Sequence, residues 1–253
     1  MLEINKFNKI IAANWKLHGT SLFIEEYFKK FNNISLDSNV CGIICPPSIY
    51  LNLCSSKIDP FYLGSQDCSN FEKGAYTGEI GASMLKDSNV QFCLVGHSET
   101  RQLFGVSDND IKIKSKNLIN NNINPILCIG ETFDQKENKL TKEILYNQVT
   151  NCMTSDSSNE TTIIAYEPIW AIGSGLTPTL DEIEGIHAFL KNEITNYTNY
   201  KILYGGSVKS NNAKDILSLK SVDGVLVGGA SLDPLEFINI TKAWWLALNY
   251  LVS

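Results

Sequence analysis

The sequence predicts a single (β/α)8 barrel, and three observations lead to that fold class. Eight short apolar runs recur along the 253 residues. Most of these runs are continuously hydrophobic rather than alternating, which is typical of parallel strands covered on both faces. Helical patterns separate them, and about 250 residues is the usual length of eight βα units closed into one barrel. A doubly wound open sheet is the alternative architecture.

The eight predicted strands are rich in isoleucine, valine and cysteine. In a barrel all eight end at one face, so the residues that follow them become neighbours around a single mouth. No linker, low-complexity tract or repeat divides the chain, and residues 1–253 are predicted to form one domain. The runs are KIIAAN (9–14), VCGIIC (40–45), FYLGS (61–65), VQFCLVG (90–96), PILCIG (125–130), TTIIAYE (161–167), KILYGG (201–206) and DGVLVGG (223–229).

Start signals accompany several of the predicted helices. Thr179 and Glu182 have the spacing of a capping box. The last helix is predicted to begin with Asp233 as its cap, Pro234 at its first position and Glu236 in its first turn. The predicted buried stripes are Leu140, Ile144, Val149 and Cys152 on one helix and Ile183, Ile186, Leu190 and Ile194 on another.

Composition narrows the class of protein. A hydrophobic content of 43% with 19% charged residues is ordinary for a globular chain. A net charge of -6 argues against a general nucleic-acid binder, although one lysine in a cleft still suits an anionic substrate. The start, MLEINKFN, lacks a signal-peptide pattern, and no run reaches the roughly 20 apolar residues of a membrane span. Seven cysteines without a C-x-x-C pair indicate reduced, buried thiols, so we expect a cytoplasmic protein that does not contact membranes.

Chemically active side chains and glycines follow the predicted strands. They include one carboxylate that could act as a base, one imidazole, one ammonium and several positions where backbone donors are accessible. If the barrel is correct, these groups converge on one mouth and form an acid/base site with an anion pocket. They are Asn14, Lys16, Gln66, His97, Glu99, Glu131, Glu167, Ser207, Gly228 and Gly229.

Each of these residues also has a structural interpretation. Lys16 could be a solvated lysine after a strand. His97 could be a structural histidine, since Ser98 and Glu99 resemble a helix cap and first turn. At such a position the helix N–H groups disfavour the imidazolium cation and favour a neutral donor. Glu167 is flanked by apolar residues that favour proton uptake, and it is predicted to be a base.

The glycines of YGGSV and LVGGASL follow the seventh and eighth predicted strands. They could simply turn the chain, but these two loops of a barrel often bind phosphate, where backbone must approach the ligand closely. No metal or cofactor site is predicted. His18 and His187 are interpreted as a loop residue and a surface-helix residue, and no acidic cluster has the spacing of metal ligands.

Five motifs, NWK, GHSETR, AYEPIWAIGSG, YGGSV and VDGVLVGGASL, resemble the triosephosphate isomerase family in the same order and over nearly the whole chain. The resemblance implies a TIM barrel that interconverts dihydroxyacetone phosphate and glyceraldehyde 3-phosphate, in glycolysis and gluconeogenesis, without a cofactor. It also implies a homodimer. The loop 65–79 would be the dimerisation arm, and 168–178 would be a lid over the active site.

The resemblance also implies a role for each matching residue. Glu167 would be the base, His97 the electrophile and Lys16 the positive charge on the substrate. Ser98 and Glu99 would support the site from behind. The remaining substrate-binding positions would be Asn14, Gly173, Ser207, Gly228 and Gly229, and the dimer contacts would be Thr77 and Gln66.

Three positions depart from the family pattern: His18, Thr100 and Leu176. His18 and Thr100 stand at positions where a change would affect contacts at the interface and contacts that support the site. Leu176 stands at the end of the lid, where a change would affect the rate of lid movement. Two other functions are consistent with a phosphate-binding barrel. One is another phosphosugar enzyme, such as a metal-dependent epimerase or a Schiff-base aldolase, and the other is a non-catalytic phosphate-binding protein.

Overall fold

The computed structural model describes residues 1–31, 34–172, 176–193 and 199–251, with the backbone alone for 245–251. Eight parallel strands close into a barrel in chain order, which confirms the predicted fold class and excludes the open sheet. Closure comes from β1, which pairs with both β2 and β8. The strands are β1 (Lys9–Asn14), β2 (Val40–Cys45), β3 (Tyr62–Ser65), β4 (Phe92–Val95), β5 (Asn124–Ile129), β6 (Ile163–Tyr166), β7 (Lys201–Tyr204) and β8 (Gly224–Val227).

Helices follow the strands on the outside of the barrel. Short 3-10 helices at Ile4–Lys6, Ser48–Tyr50, Ile169–Ala171 and Gly229–Leu232 complete the pattern in the described part of the chain. The α-helices are α1 (Ser21–Lys29), α2 (Leu51–Ser55), α3 (Ala82–Asp87), α4 (Ser98–Phe104), α5 (Asp108–Asn120), α6 (Phe133–Glu137), α7 (Thr141–Cys152), α8 (Leu180–Glu193), α9 (Ser210–Ser218) and α10 (Pro234–Leu251). No helix in the described ranges is both long enough and apolar enough to cross a membrane.

The predicted start signals form the expected hydrogen bonds. The Glu182 carboxylate accepts from the Thr179 backbone N–H at 2.8 Å, and Thr179 Oγ1 accepts from the Glu182 N–H at 3.2 Å. At α10, Asp233 Oδ1 accepts from the N–H groups of Leu235 at 2.8 Å and Glu236 at 3.2 Å. Both caps satisfy donors that have no partner inside the helix.

Two apolar layers form the core. Side chains such as Ile10, Ala12 and Leu94 fill the barrel interior, while their neighbours along each strand pack outward against the helices. This alternation buries both faces of every strand, which accounts for the continuous apolar runs in the sequence. All seven cysteines are buried free thiols, as predicted.

The helix stripes differ in part from the prediction. On α7 the buried side chains are Leu145, Val149 and Cys152, while Leu140 precedes the helix and is 39% exposed. On α8, His187 is fully buried, so its interpretation as a surface residue is wrong. It lies four residues after Ile183 and three before Leu190, which places it on the buried face of the helix. Ile144 is only half-buried and Ile186 only partly buried; Ile194 lies outside the described residues.

Candidate active site

A cavity of about 400 Å³ opens at the carboxyl ends of the strands. It is lined by residues from the ends of β1, β4, β6, β7 and β8, and seven of the ten groups predicted to share one mouth lie there. The lining residues are Asn14, Lys16, His97, Glu167, Ile172, Gly205, Gly206, Ser207, Val208, Lys209, Leu226, Gly228, Gly229 and Ala230.

The end of β1 places Lys16 in an uncommon backbone conformation, with φ of 52°. This left-handed region costs a residue with a side chain ~1–2 kcal/mol. Neighbouring hydrogen bonds hold it there: the Lys16 N–H donates to Asn14 Oδ1 at 3.0 Å, and Gln66 Nε2 donates to the Lys16 carbonyl at 2.8 Å. The ammonium donates to Glu99 Oε1 at 2.6 Å. Lys16 is therefore a positioned charge rather than a freely solvated one.

His97 is the N-cap of α4, and its ring orientation fixes the tautomer of the neutral form. Nδ1 accepts a hydrogen bond from the backbone N–H of Glu99 at 3.2 Å. A neutral ring must then carry its proton on Nε2, because an accepting nitrogen has no hydrogen. Nε2 lies 2.9 Å from Glu167 Oε1. The ring thus directs a donor toward the same cavity that Glu167 lines.

The pKa of His97 is above its ordinary value in this arrangement. Burial is the largest single effect and lowers this pKa, but the carboxylate of Glu167, its hydrogen bond and the carboxylate of Glu99 together raise it by more. The helix N-terminus alone favours the neutral ring, as the sequence predicts. The pKa is nevertheless raised because the Glu167 carboxylate contacts the imidazole directly. The raised pKa of His97 therefore depends on the position of Glu167.

Glu167 is 2% exposed, and both of its carboxylate oxygens have partners. Oε1 faces His97, and Oε2 accepts from the Ser98 backbone N–H at 3.0 Å. Two glycines leave room for the residue: a Cβ at Gly130 would lie 1.9 Å from the Glu167 carbonyl oxygen, and a Cβ at Gly205 would lie 2.9 Å from its Cγ. The carboxylate is held at the edge of the cavity by its contacts with His97 and the Ser98 N–H.

The loops after β7 and β8 form the other side of the cavity. Ser207 donates to the Ala171 carbonyl at 3.5 Å, so this loop touches the segment after β6. Gly228 lies close to the first loop, since a Cβ on it would be 3.5 Å from Lys16 Cε. Gly205 and Gly206, the glycines of the motif YGGSV that the sequence analysis connected with phosphate, also line the cavity. Sequence reasoning missed Lys209, which directly follows that motif.

Glu131 is also at a strand end, but it lies behind the segment after β6 rather than in the cavity. Its Oε1 accepts from Trp170 Nε1 at 2.8 Å and from the Tyr166 hydroxyl at 3.1 Å. The Lys136 ammonium lies 3.4 Å from the centroid of the Trp170 ring and 3.3 Å from Glu182 Oε1. Burial raises the pKa of Glu131. These contacts fix Trp170 on the barrel rim.

Several predicted residues lie near the cavity without lining it. Glu99, whose side chain is 43% exposed, contacts both Lys16 and His97. Ser98 contributes its backbone N–H to Glu167. Gln66, directly after β3, donates to the carbonyls of Lys16 and Cys45 in its own chain, so it links the loop after β1 and the end of β2. Thr77 is exposed. Gly173 lies outside the described residues.

The departures from the family pattern have simple positions. His18 is exposed in the loop after β1. Thr100 Oγ1 donates to the His97 carbonyl at 2.8 Å, so it contributes to the start of α4. Leu176 is 52% exposed. Within the described ranges, no three His, Cys, Asp or Glu side chains cluster as ligands for a metal ion.

Comparison with known proteins gives a consistent result. A family model for triosephosphate isomerase matches residues 9–244. The chain is 40% identical over 241 residues to a triosephosphate isomerase of Francisella tularensis subsp. mediasiatica (strain FSC147), which covers 92% of this chain and 95% of that protein. It is 36% identical over 244 residues to that of Rhizobium meliloti (strain 1021), covering 93% and 95% of the two chains.

A solved structure is similar in fold as well as in sequence. The crystal structure of triosephosphate isomerase from Bartonella henselae superposes with a TM-score of 0.86 at 30% identity, covering 94% of this chain and all of the other. The match to the family model, residues 9–244, includes the whole barrel and every loop of the cavity. The chain therefore belongs to the triosephosphate isomerase family and is an isomerase.

Proposed function

We propose that the cavity binds dihydroxyacetone phosphate or glyceraldehyde 3-phosphate and moves a proton between the adjacent carbons of that substrate. The observation that carries this proposal is the placement of the Glu167 carboxylate and His97 Nε2 on one cavity, 2.9 Å apart. One is a proton acceptor and the other a proton donor, and a substrate that separates them meets both. An aldose–ketose isomerisation needs this pair.

Glu167 removes the carbon-bound proton in this mechanism. It must first exchange its contacts with His97 and the Ser98 N–H for a position over the substrate carbon. The negative charge of the enediolate then develops on oxygens that face His97 Nε2–H, the Lys16 ammonium and the Asn14 amide. Donors that are already positioned stabilise this charge without reorganising, and they act more strongly where water is excluded.

The glycine loops are proposed to hold the phosphate group. Gly228 and Gly229 allow close approach of the backbone, and Ser207 adds a hydroxyl on the opposite loop. By resemblance, the N–H of Gly173 completes the set. Phosphate binding at one end of the cavity places the carbon chain between Glu167 and His97, which is the positioning that the proton transfer requires.

A coupled assay on glyceraldehyde 3-phosphate tests the function. We expect turnover that is unchanged by a chelator and no lysine adduct after borohydride treatment. A chelator-sensitive reaction would favour a metal-dependent epimerase, and a trapped lysine would favour an aldolase. Phosphate binding without turnover would leave only a phosphate-binding protein.

We further propose that 168–178 is a lid that closes over bound substrate. A free enediolate can eliminate its phosphate, so the site needs a cover during the reaction. Ile172 already lines the cavity, and prolines at 168 and 178 restrict bending to the two ends of the segment. Trp170 lies at the first of these ends, bonded to Glu131 and covered by Lys136.

Closure of the lid is expected to change the fluorescence of Trp170. Adding a phosphorylated enediolate mimic moves the indole away from Glu131 and the Lys136 ammonium, and it slows proteolysis within 170–177. Inorganic phosphate should give a weaker version of both effects. The matched control is Trp170→Phe, which leaves the fully buried Trp15 in place and so preserves the core. An equal fluorescence change in the control would show that another indole reports the binding. No change in either signal at calorimetrically verified saturation would show that this segment does not close.

We also propose that the chain is a cytoplasmic homodimer joined by the arm 65–79. Free, buried cysteines suit a reducing compartment, and cell fractionation tests that placement. The arm exposes two stacked rings, Phe71 and Tyr76, with centroids 3.7 Å apart. A second copy would cover this apolar surface. Thr77 would then contact the partner near its Asn14 and His97, as the resemblance implies.

Deleting 70–76 is expected to give an inactive monomer. The ends of the arm are already joined by the hydrogen bond from the Ser69 N–H to the Ile80 carbonyl at 2.8 Å, so the deletion leaves the barrel closed. Sedimentation velocity measures assembly, and circular dichroism checks the fold. Thr77→Arg keeps the loop length, and like the deletion it should shift the protein from dimer toward monomer. A fully active monomer from the deletion would contradict the proposal.

A further inference from the structure

The lysine and carboxylates around the reacting end of the cavity leave no excess of positive charge there. Lys16 is the only ammonium at that end in the described part of the chain, and it is paired with Glu99 at 2.6 Å. Glu167 adds a second carboxylate. Apart from His97, this group has one positive and two negative charges. A phosphate ester adds up to two more negative charges, so another cation beside the glycine loops would strengthen its capture.

The N-terminus of α9 lies beside the phosphate loop but does not supply this positive potential freely. The Lys209 N–H donates to Asn212 Oδ1 at 2.8 Å. The N–H and hydroxyl of Ser210 donate to the Glu236 carboxylate at 2.7 Å and 2.9 Å. A carboxylate thus already occupies the positive end of the helix, and it adds another negative charge on this side of the cavity.

Lys209 is the cation that remains on this side. It directly follows Val208 in the loop that carries Ser207, it lines the cavity, and its side chain is exposed. Among the described residues, no carboxylate lies within 4.0 Å of its ammonium. Its charge is therefore available to a ligand, in contrast to that of Lys16.

We propose that Lys209 captures the phosphate group of the substrate at the mouth of the cavity. The proposal rests on the function given above, because it requires a phosphorylated substrate. Lys209 acts on encounter and binding, while the proton transfer occurs at the other end of the substrate. A rim charge of this kind changes association rates and their salt dependence more than it changes the chemical step.

Lys209→Met is expected to lower kcat/KM for glyceraldehyde 3-phosphate about tenfold at low salt, through KM, with kcat changed less than twofold. The loss should shrink as ionic strength rises. Lys209→Arg should retain most of the wild-type kcat/KM. The matched control is Lys220→Met, which removes the same charge beyond the other end of α9, at the opposite face of the barrel.

Two further measurements distinguish phosphate capture from a structural effect. Lys209→Met should turn over unphosphorylated glyceraldehyde at the wild-type rate, and it should bind inorganic phosphate about tenfold more weakly in calorimetry. Equal kcat/KM in Lys209→Met and wild type, or an equal loss in Lys220→Met, would overturn the inference. So would an equal loss with glyceraldehyde. If the wild-type protein itself fails to isomerise glyceraldehyde 3-phosphate, the proposed function is wrong instead.

Discussion

Glu167→Gln is expected to lower kcat by at least ~10³-fold, within the range that general-base catalysis contributes. Glutamine has the same shape, and its amide oxygen can still accept from the Ser98 N–H, which donates to Oε2 at 3.0 Å in the native site. The substitution removes the basic oxygen and little else. Steady-state kinetics measure the loss, and circular dichroism and thermal unfolding check that the variant is folded.

Glu184→Gln is the matched control for this substitution. Its carboxylate also accepts a backbone N–H at 3.0 Å, from Ser221, together with the Ser221 hydroxyl. Ser221 precedes β8, so this pair lies at the amino ends of the strands, away from the cavity. We expect near-normal kcat in the control. A folded Glu167→Gln variant that keeps a tenth of the wild-type kcat would move the base to another residue.

The Glu167→Gln variant also tests how the carboxylate of Glu167 and the imidazole of His97 interact. In the native site Glu167 is the largest cause that raises the pKa of His97, while burial lowers it. Replacing the carboxylate with a neutral amide leaves burial in place, so the pKa of His97 should fall. Nuclear magnetic resonance titration of the ring measures this directly. In the proposed mechanism the same change would occur when Glu167 moves to the substrate, and it would favour the neutral donor.

The arrangement of strands was predictable because burial on both faces leaves a direct trace in the sequence. Each structural strand overlaps its apolar run, and polar residues at or just after several of these runs, such as Asn14, His97 and Ser207, line the mouth. Catalytic candidates such as Lys16, His97 and Glu167 could be found for the same reason. The raised pKa of His97 could not, because it depends on a contact with Glu167, 70 residues away in the chain.

Other features depend on contacts between elements that no local pattern records. Glu131 follows a strand, yet it does not line the cavity. It lies behind the proposed lid and accepts a hydrogen bond from Trp170 of that segment. His187 looks like a polar surface residue, but α8 buries it between the rings of Tyr166 and Tyr204, at centroid distances of 6.0 Å and 6.4 Å. Burial lowers its pKa to about 3, so it stays neutral. Periodicity from Ile183 to Leu190 was the available signal.

Lys16→Met is expected to lower kcat/KM by ~10²–10³-fold, comparable to the loss of one donor that stabilises transition-state charge. Methionine keeps the unbranched stem, so the backbone at φ 52° is no more strained than in the native protein. The substitution removes the ammonium and leaves Glu99, its partner at 2.6 Å, uncompensated beside the substrate. Both effects act against an anionic ligand. Steady-state kinetics and calorimetry with an enediolate mimic measure turnover and binding.

Two variants separate the contributions to that loss. Lys57→Met breaks a comparable pair, Lys57 with Glu25 at 3.0 Å on the helix surface, and it should leave kinetics unchanged because exposed pairs contribute little. In the double variant Lys16→Met/Glu99→Gln the unpaired carboxylate is gone, so affinity should recover in part. Turnover should not recover, because the neutral amide cannot stabilise the enediolate charge as the ammonium does. Unchanged affinity of the single variant for the mimic would show that Lys16 does not contact the substrate, and its pairing with Glu99 would then serve only to hold the first loop.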